Sequence, residues 1–338
     1  MAKKKTGGAG WVASGLAWGL AGGLALGTLV VAPSLAPISD YSFNNIDPTT
    51  KGADGARKAP GSSDKDGEAP ANPEANSANA LLAGNSTRIV EGTLDQRPFI
   101  IVRAPNADED DVKVTSWLAQ QAGATVAGEI TLTDKFLSQD GADQLRSIIA
   151  NTLPAGAQLS VDNQAPGTHA GESLGTALMF DVNTNEPMAN VEDRALVLQA
   201  LRDGGFIEYA DGTITPAQGI IVVTGGDIEE GEGVKDDADV FAATVLADFA
   251  RGLDSRGDAV VLAGRRGAAS PNGSIALIRS NAEASAAVST VDSLDSETGR
   301  ISTVLALAEQ IGGKSGAYGS ATNAQAPAPE RPRAQDNG

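Results

Sequence analysis

The sequence lacks cysteine entirely and contains one histidine, His169. Without cysteine, the chain forms no disulfide, no thiolate metal site and no cysteine nucleophile. With one histidine, it has no His-pair metal motif, and a Ser-His-Asp triad would have to use His169. These absences remove the commonest catalytic and metal-binding arrangements, and we therefore predict no enzyme and no bound cofactor.

Basic residues are also scarce, since 25 Lys and Arg stand against 43 Asp and Glu, for a formal net charge of −18. Proteins that bind phosphate backbones need clustered Lys and Arg. The charge balance therefore argues against a nucleic-acid partner.

One segment lacks charge altogether, namely residues 11–31, "WVASGLAWGLAGGLALGTLVV". As a helix, 21 residues span about 31 Å, which matches the hydrocarbon core of a bilayer. Lysines at positions 3–5 precede it, and no Lys or Arg follows until Lys51. The positive-inside rule then predicts a cytoplasmic tail at residues 1–10, a single-pass membrane anchor, and an extracytoplasmic remainder.

A cleaved signal peptide is the alternative interpretation of this segment. The stretch "VVAPSLAP" offers small residues for cleavage near Pro37. The apolar run is longer than the usual signal-peptide core of about 7–15 residues, which favours the uncleaved anchor.

A glycine ladder runs along the predicted anchor, with Gly15, Gly19, Gly23 and Gly27 spaced four apart. On a helix these residues form one stripe, where a second helix backbone can approach closely. We expect homo-oligomerisation or pairing with another membrane helix through this stripe. The alternative is that glycine is simply common in membrane helices.

The regions on either side of the central part have few large apolar residues. Residues 32–96 are rich in Gly, Pro, Ala, Ser, Asn and Asp, which predicts a flexible linker, with a short helix possible near residues 80–94. Residues 314–338 have a similar composition and predict a disordered tail.

The central residues 97–313 alternate short apolar runs with amphipathic segments. We predict strands at 98–104, 124–133, 171–180, 219–226, 258–264, 274–280 and 301–307, the last with a helix as its alternative, and helices at 108–123, 191–205 and 237–253. This rhythm predicts an α/β domain with a mostly parallel, Rossmann-like sheet flanked by helices. The G-x-G-x-x-G dinucleotide fingerprint is missing after the first strand.

Ligands of such sheets bind beyond the carboxyl ends of the strands, and one loop there is basic. It carries Arg265 and Arg266 in "GRRGAASPNG". An anion or a carboxylate-rich partner would fit this loop. The alternative is exposed charge without a binding role. The acidic residues 104–111 favour helix capping over a metal site.

The stretch "STVDSLDSETGRISTVLAL" places Asp292, Asp295, Glu297 and Arg300 just before an apolar run. Asp and Ser in that position are usual in turns and helix caps, and Arg300 can pair with one of the acids. This predicts a structural joint into the last core element. A partner-docking edge is the alternative.

The segment "DVNTNEPMANVE" places Asp181, Asn183, Asn185 and Glu192 at positions 1, 3, 5 and 12 of an EF-hand calcium loop. Position 6 of that loop is normally glycine but is Glu186 here. The resemblance to a calcium loop is therefore weak.

Several blocks, in order along residues 97–313, resemble the MctB family, which is named for a mycobacterial copper-transport protein. They include "RPFIIVRAPNADEDDV", "IVVTGG", "VLAGRRGA" and "VSTVDSLDSETGRISTVLALAEQIGG". The resemblance implies copper efflux or copper homeostasis at the cell envelope, and the family name also implies outer-membrane association.

The same family includes corynebacterial cell-separation proteins of the SteB type. They imply the alternative function, a scaffold that pairs with an SteA-like membrane partner and regulates a peptidoglycan hydrolase. Family members often carry a heptad coiled coil after the anchor, whereas residues 38–80 show no heptads here. The resemblance supplies no catalytic or copper-binding residues, so the metal ligands remain unknown.

A copper site can be sought from the residues alone. Cu(I) prefers thiolate, thioether and imidazole ligands, which leaves His169, Met1, Met179 and Met188. An approach of His169 to Met179 would give only two ligands. The sequence therefore does not predict a dedicated copper centre.

Overall fold

The computed structural model describes residues 73–226, 233, 236–257 and 259–331. The predicted tail 1–10, the anchor 11–31 with its glycine ladder (Gly15, Gly19, Gly23 and Gly27) and most of the linker lie outside the described residues. Within the described residues, no helix is both long and apolar enough to cross a bilayer.

A seven-stranded sheet forms the centre of the described region. Its strands are β1 (Pro98–Arg103), β2 (Thr125–Leu132), β3 (Ile207–Glu208), β4 (Gly219–Thr224), β5 (Val260–Gly264), β6 (Ser289–Val291) and β7 (Ala317–Tyr318). Their order is β3-β2-β1-β4-β5-β6-β7, and every pair is parallel except β2 with β3. The predicted α/β class with a mostly parallel sheet is confirmed.

The helices that connect and cover these strands have the following bounds: α1 (Pro73–Ala83), α2 (Ser86–Val90), α3 (Glu109–Gln121), α4 (Asp134–Leu137), α5 (Ala142–Thr152), α6 (Pro166–Leu178), α7 (Val191–Asp203), α8 (Asp237–Gly257), α9 (Ser274–Ser280), α10 (Ala282–Ala287) and α11 (Glu297–Ile311), with a 3-10 turn at Arg266–Ala269. The helices predicted at 108–123, 191–205 and 237–253 are thereby confirmed, the third extending to Gly257.

The helices divide between the two faces of the sheet. Helices α3 and α11 pack on one face, where Leu118 and Val304 are fully buried among side chains of β1, β4 and β5. Helices α5 to α8 cover the other face, with Leu145 and Phe249 fully buried. The strands β1 and β4 are buried on both faces, which explains why both read as nearly continuous apolar runs.

Among the parallel strands, β1 lies where the strand order reverses. The chain runs from β1 to β2 on one side, and then returns to β4, β5 and β6 on the other side. This is the doubly wound order of flavodoxin-like sheets, in which ligands bind beside the reversal point.

Two segments predicted as strands are helices, so those predictions were wrong. Residues 171–180 fall mostly in α6, and residues 274–280 form α9. Short buried apolar runs do not distinguish a strand from a helix by periodicity alone. Residues 301–307 lie in α11, which was the stated alternative.

Helix α6 owes its apolar, glycine-rich sequence to a close contact with α8. A Cβ atom at Gly171 would lie 2.3 Å from the carbonyl oxygen of Phe249. The small residues therefore allow the two helix backbones to touch, and α6 is buried along most of its length.

The folded region extends beyond both expected boundaries. Helices α1 and α2 lie inside the expected linker 32–96, and Val90 and Leu94 are buried in the core. At the other end, β7 lies inside the expected tail 314–338, and Arg331 donates a hydrogen bond to the carbonyl oxygen of Glu91 at 2.9 Å. A few well-placed apolar residues order these polar segments against the sheet.

Candidate functional site

The six residues predicted as partner or anion contacts all lie at the carboxyl edge of the sheet. Arg265 and Arg266 follow β5, Asp292 and Asp295 follow β6, and Glu297 and Arg300 lie in the first turn of α11. The structure places them in two separate ion-pair clusters and one cavity rather than in a single patch.

The first group, which we call the Asp111 cluster, contains Asp108, Asp111, Arg265, Glu297 and Arg300. Arg265 contacts Asp111 at 2.7 Å and Asp108 at 2.8 Å, so that it joins the loop after β5 to the start of α3. Arg300 lies 3.4 Å from the other Asp111 oxygen and 3.7 Å from Glu297. The cluster thus ties three elements together around one buried carboxylate.

A helix N-cap holds the acidic residues Asp108 and Asp111 of this cluster in position. The Asp108 side chain accepts hydrogen bonds from the backbone N–H groups of Asp110 and Asp111, as expected at a helix N-cap. Partial burial has the largest single effect on the pKa of Asp108 and acts to raise it, because burial disfavours the charged carboxylate. The N–H donors and the Arg265 charge together outweigh it and lower the pKa of Asp108. The expectation that residues 104–111 cap a helix is confirmed.

The second group, which we call the Asp292 cluster, is centred on a buried pair of Asp292 and Arg279. Their side chains are 0% and 3% exposed, and Arg279 Nη1 lies 2.8 Å from Asp292 Oδ2. Arg279 also donates to the Thr290 hydroxyl at 2.9 Å and to the Tyr318 carbonyl at 2.7 Å. The guanidinium therefore connects α9, β6 and β7.

Backbone and hydroxyl donors complete the hydrogen bonding of Asp292. Its Oδ1 atom accepts from the Ser293 hydroxyl at 2.7 Å, from Ser320 N–H at 2.7 Å and from Ala321 N–H at 3.2 Å. Burial has the largest single effect on the pKa of Asp292 and acts to raise it, because burial disfavours the charged carboxylate. The donors from Ser293, Arg279 and Ser320 outweigh it and lower the pKa of Asp292.

Glycine is required where the chain after β7 crosses Asp292. Gly319 has a φ of +134°, and a Cβ atom there would lie 2.2 Å from the Asp292 carboxyl group. The residue Asp292 therefore holds the C-terminal segment directly against the sheet edge. The prediction of a joint into the last core element agrees with this arrangement, and the Ser296 hydroxyl caps α11 by accepting from Gly299 N–H at 3.1 Å.

A cavity of about 490 Å³ lies beside the Asp292 cluster, between the start of α11 and the segment after β7. Arg266, Asp292 and Asp295 all contribute to its lining. Asp292 is buried at its base, whereas Asp295 is exposed. The cavity brings three of the six predicted contact residues together. Their contact with a partner stays a prediction.

Two central residues were missed as site residues. Asp111 was read only as part of a capping loop, and Arg279 as the end of a strand. The one signal available for Arg279 was a charge inside the apolar run "SIALIRS". Its partners are 11 to 44 positions away along the chain, so no local pattern reveals them.

Among the soft metal ligands, His169 lies apart from the methionines, whereas Met188 N–H donates to the Met179 carbonyl oxygen at 3.2 Å. His169 Nε2 lies 2.9 Å from the Ser160 carbonyl oxygen, near the start of α6. Met179 follows the end of that helix, about 15 Å further along at 1.5 Å per residue, and is buried against Gly257. The considered approach of His169 to Met179 does not occur. Within the described residues, no group of three or more His, Asp or Glu side chains is placed to hold a metal ion.

The residues that resembled a calcium loop form a local turn. Asp181 Oδ1 accepts from the N–H groups of Asn183 and Thr184, both at 2.9 Å, and these bonds lower the pKa of Asp181. Asn185 accepts from the Gln218 side chain at 2.7 Å. The EF-hand interpretation is therefore not supported by the arrangement of these side chains.

The chain has clear relatives among known proteins. The family described as "Copper transport outer membrane protein, MctB" matches residues 12–329. The protein named "Copper transporter MctB" from Mycobacterium tuberculosis (strain ATCC 25618 / H37Rv) is 38% identical over 237 residues, which cover 69% of this chain and 73% of that relative. The protein of the same name from Mycobacterium leprae (strain TN) is 37% identical over 238 residues, with the same two coverages.

Proposed function

The chain belongs to the MctB family, and on that premise we propose that it acts in copper efflux or copper homeostasis at the cell envelope. The observation that carries this proposal is the family match, which extends from residue 12 to residue 329. It covers the whole α/β domain and continues into the predicted anchor. The mycobacterial relatives, which are named copper transporters, support the same conclusion.

We propose a single-pass arrangement at the cell membrane, with residues 1–10 in the cytoplasm and the α/β domain outside. The uncharged residues 11–31 and the preceding lysines at positions 3–5 support this orientation. The glycine ladder at Gly15, Gly19, Gly23 and Gly27 supports oligomerisation or pairing with an SteA-like membrane partner. A single helix per chain lines no water-filled pore by itself, so a transport role would require such assembly.

Within this role, the α/β domain serves as a non-enzymatic binding module rather than as a copper chelator. The positions of the soft ligands support this division, because Cu(I) prefers such ligands and His169 lies apart from the neighbouring Met179 and Met188. Its carboxyl edge instead carries ion pairs and a cavity of about 490 Å³ that an acidic or basic protein segment could enter. Copper is then the cargo of the assembly, and the domain recruits or positions its components.

The alternative is an SteB-like scaffold that regulates a peptidoglycan hydrolase during cell separation. The specific observation in its favour is the same charged edge, with Arg266 and Asp295 at one cavity, combined with the separation of His169 from the two methionines. Both proposals use the domain as a binding module, and they differ in the process that the module serves.

The test is a gene deletion, scored for copper tolerance and for cell chaining in the same cultures. Copper sensitivity with normal cell separation supports the first proposal, and chaining with normal copper tolerance supports the second. The deletion strain is then complemented with His169→Ala combined with Met179→Leu and Met188→Leu. Full rescue of copper tolerance supports a domain without copper ligands, and loss of rescue by a stably expressed variant would contradict it.

A further inference from the structure

A second cavity, of about 450 Å³, opens at the carboxyl edge of the sheet on the face covered by α8. Its lining includes Asn106 after β1, and Thr224 at the end of β4. These strands are neighbours at the point where the strand order reverses. Its volume falls within the range of about 300–1,000 Å³ typical of small-molecule sites, and its place in the sheet is the usual one for ligands of doubly wound folds.

The walls of this switch-point cavity are mainly apolar. They are formed by Leu137 of α4, by Ala242, Ala243 and Leu246 of α8, and by Ala268 of the 3-10 turn. The repeated alanines keep side chains short on the side of α8 that faces the cavity. The compact apolar part of a ligand would fit against this wall.

A few polar groups in the lining have unused hydrogen-bonding capacity. Asn106 Oδ1 accepts from the Thr224 hydroxyl and from Gly225 N–H, both at 3.2 Å, which fixes the orientation of the amide. Its Nδ2 atom has no hydrogen-bond partner within the part of the chain that the structure describes. Ser274 is only 4% exposed, and its hydroxyl likewise has no partner among the described residues. Asn106 is exposed and both residues line the cavity, so these groups are available to a ligand there.

The charge of the lining is negative. Asp134 and Asp239 are exposed carboxylates at the cavity, and no Lys or Arg contributes to its described lining. Neither carboxylate forms an ion pair with a described residue. The amide groups at the start of α8 would ordinarily attract an anion, but Asp236 already accepts from Ala238 N–H at 2.8 Å, and Asp237 and Asp239 lie in the same first turn. The electrostatics therefore favour a cation.

We infer that the switch-point cavity binds a small organic amine, with the ammonium group at Asp134 and Asp239 and the apolar body against the alanine wall of α8. Asn106 and Ser274 donate to or accept from polar atoms of the same ligand. This inference goes beyond the proposed function and does not depend on copper transport.

The test uses calorimetric titration of the full-length protein with three probes that share one ring. They are cyclohexylmethylamine, cyclohexylmethanol and cyclohexanecarboxylate. The amine should bind most tightly, the alcohol more weakly, and the carboxylate most weakly. Equal or tighter binding of the carboxylate, or no binding of the amine, would overturn the inference.

Two variants localise the binding. The double variant Asp134→Asn/Asp239→Asn should weaken amine binding by about fivefold to tenfold and leave alcohol binding unchanged, because only the ammonium uses the carboxylates. Its matched control is Glu109→Gln/Asp110→Asn, which removes two exposed carboxylates from α3, outside the cavity. Equal weakening in the control would show general attraction to an acidic protein and would contradict a specific site.

The variant Ala243→Leu fills the cavity and should abolish binding of both the amine and the alcohol. If its melting temperature shows that it does not fold, Ala242→Leu provides the same test one residue earlier on α8. Unchanged amine binding in a folded cavity-filling variant would place the amine elsewhere and overturn the inference.

Discussion

The two ion-pair clusters lie at the same edge of the sheet but differ in their exposure to water. In the Asp292 cluster, both charged partners are buried, at 0% and 3% exposure. In the Asp111 cluster, the carboxylate is 3% exposed, while Arg265 and Arg300 are 38% and 23% exposed. One cluster is therefore part of the protein core, and the other is a boundary between core and solvent.

This difference in exposure indicates which charged residues can bind a partner. When a buried pair loses one member, the other is left as an unpaired charge in a medium of low polarity. Breaking such a pair therefore destabilises the fold, and its members are not available to bind a partner. A partly exposed arginine keeps part of its hydration, and Arg265 can exchange its contact with the partly exposed Asp108 for another carboxylate at small cost while it stays paired with Asp111. Of the residues predicted as contacts, Arg265 and Arg300 thus suit reversible binding, whereas Asp292 is primarily structural.

The largest effect is expected for Asp292→Ala. It leaves Arg279 buried without its counter-ion and removes the acceptor for Ser320 and Ala321. We expect a loss of about 3–5 kcal/mol in the free energy of unfolding, measured by chemical denaturation of the full-length protein. Asp295→Ala is the matched control, since Asp295 is exposed and lies three residues away in the same loop. Similar stability of the two variants would contradict a core role for Asp292.

The double variant Arg279→Ala/Asp292→Ala sharpens this test. If the cost of Asp292→Ala comes mainly from the stranded guanidinium, the double variant should lose less than the sum of the two single variants. Strict additivity would show that the two side chains stabilise the fold independently.

A smaller loss is expected for Asp111→Ala, about 2 kcal/mol in the same measurement. The carboxylate is buried, but the arginines that it leaves behind are partly hydrated and retain Asp108 and Glu297 as neighbours. Asp110→Ala in the same turn of α3 is its control. A loss of stability as large as that of Asp292→Ala would contradict the idea that the Asp292 cluster contributes more to stability than the Asp111 cluster.

The stabilising effect of Asp292 should depend on pH in the acid range. Because the folded-state pKa of Asp292 lies below its ordinary value of 3.8, its stabilising effect is complete above that pH and is lost as the pH falls through the folded pKa. The stability difference between the wild type and Asp292→Asn should therefore shrink below pH 4, by about 1.4 kcal/mol for each unit of pKa depression. Unfolding measured from pH 6 down to pH 2 checks this, and a difference that stays constant would contradict it.

The sequence predicted the centre of the fold better than its edges. Strand β4 was recognised because six consecutive buried residues in a parallel sheet must be apolar, and α3 because Asp108 and the acids after it mark a helix start. Helix α9 was misread because a run of four apolar residues, 275–278, fits either a strand or a helix. Strand β7 was not predicted, because its polar segment is held by contacts with residues far away along the chain, such as that of Arg331 with Glu91.

The predicted pairing of Arg300 with one of the acids in its own stretch is confirmed by its contact with Glu297 at 3.7 Å, whereas the pairings with distant residues were not predicted. The stretch that contains Asp292, Asp295, Glu297 and Arg300 was recognised because capping and turn residues precede an apolar run. The partners Arg279 and Asp111 were not, because each is brought to the edge by a separate strand-to-helix connection. Pairing across a sheet edge depends on topology, which local patterns do not encode.

The smallest effect is expected for Glu297→Gln, which keeps the side-chain shape and removes the partner of the longest ion pair in the Asp111 cluster. Its contact with Arg300 is 3.7 Å long, and Arg300 keeps Asp111 as a partner. We expect a change in the free energy of unfolding within about 0.5 kcal/mol. Because folding is preserved, Glu297→Gln combined with Asp295→Ala is the suitable variant for testing partner capture at this edge in cell-envelope extracts. Lost capture with unchanged melting would assign Asp295 and Glu297 to docking. Unchanged capture of the same partner would restrict docking to Arg265, Arg266 and Arg300, or to another surface.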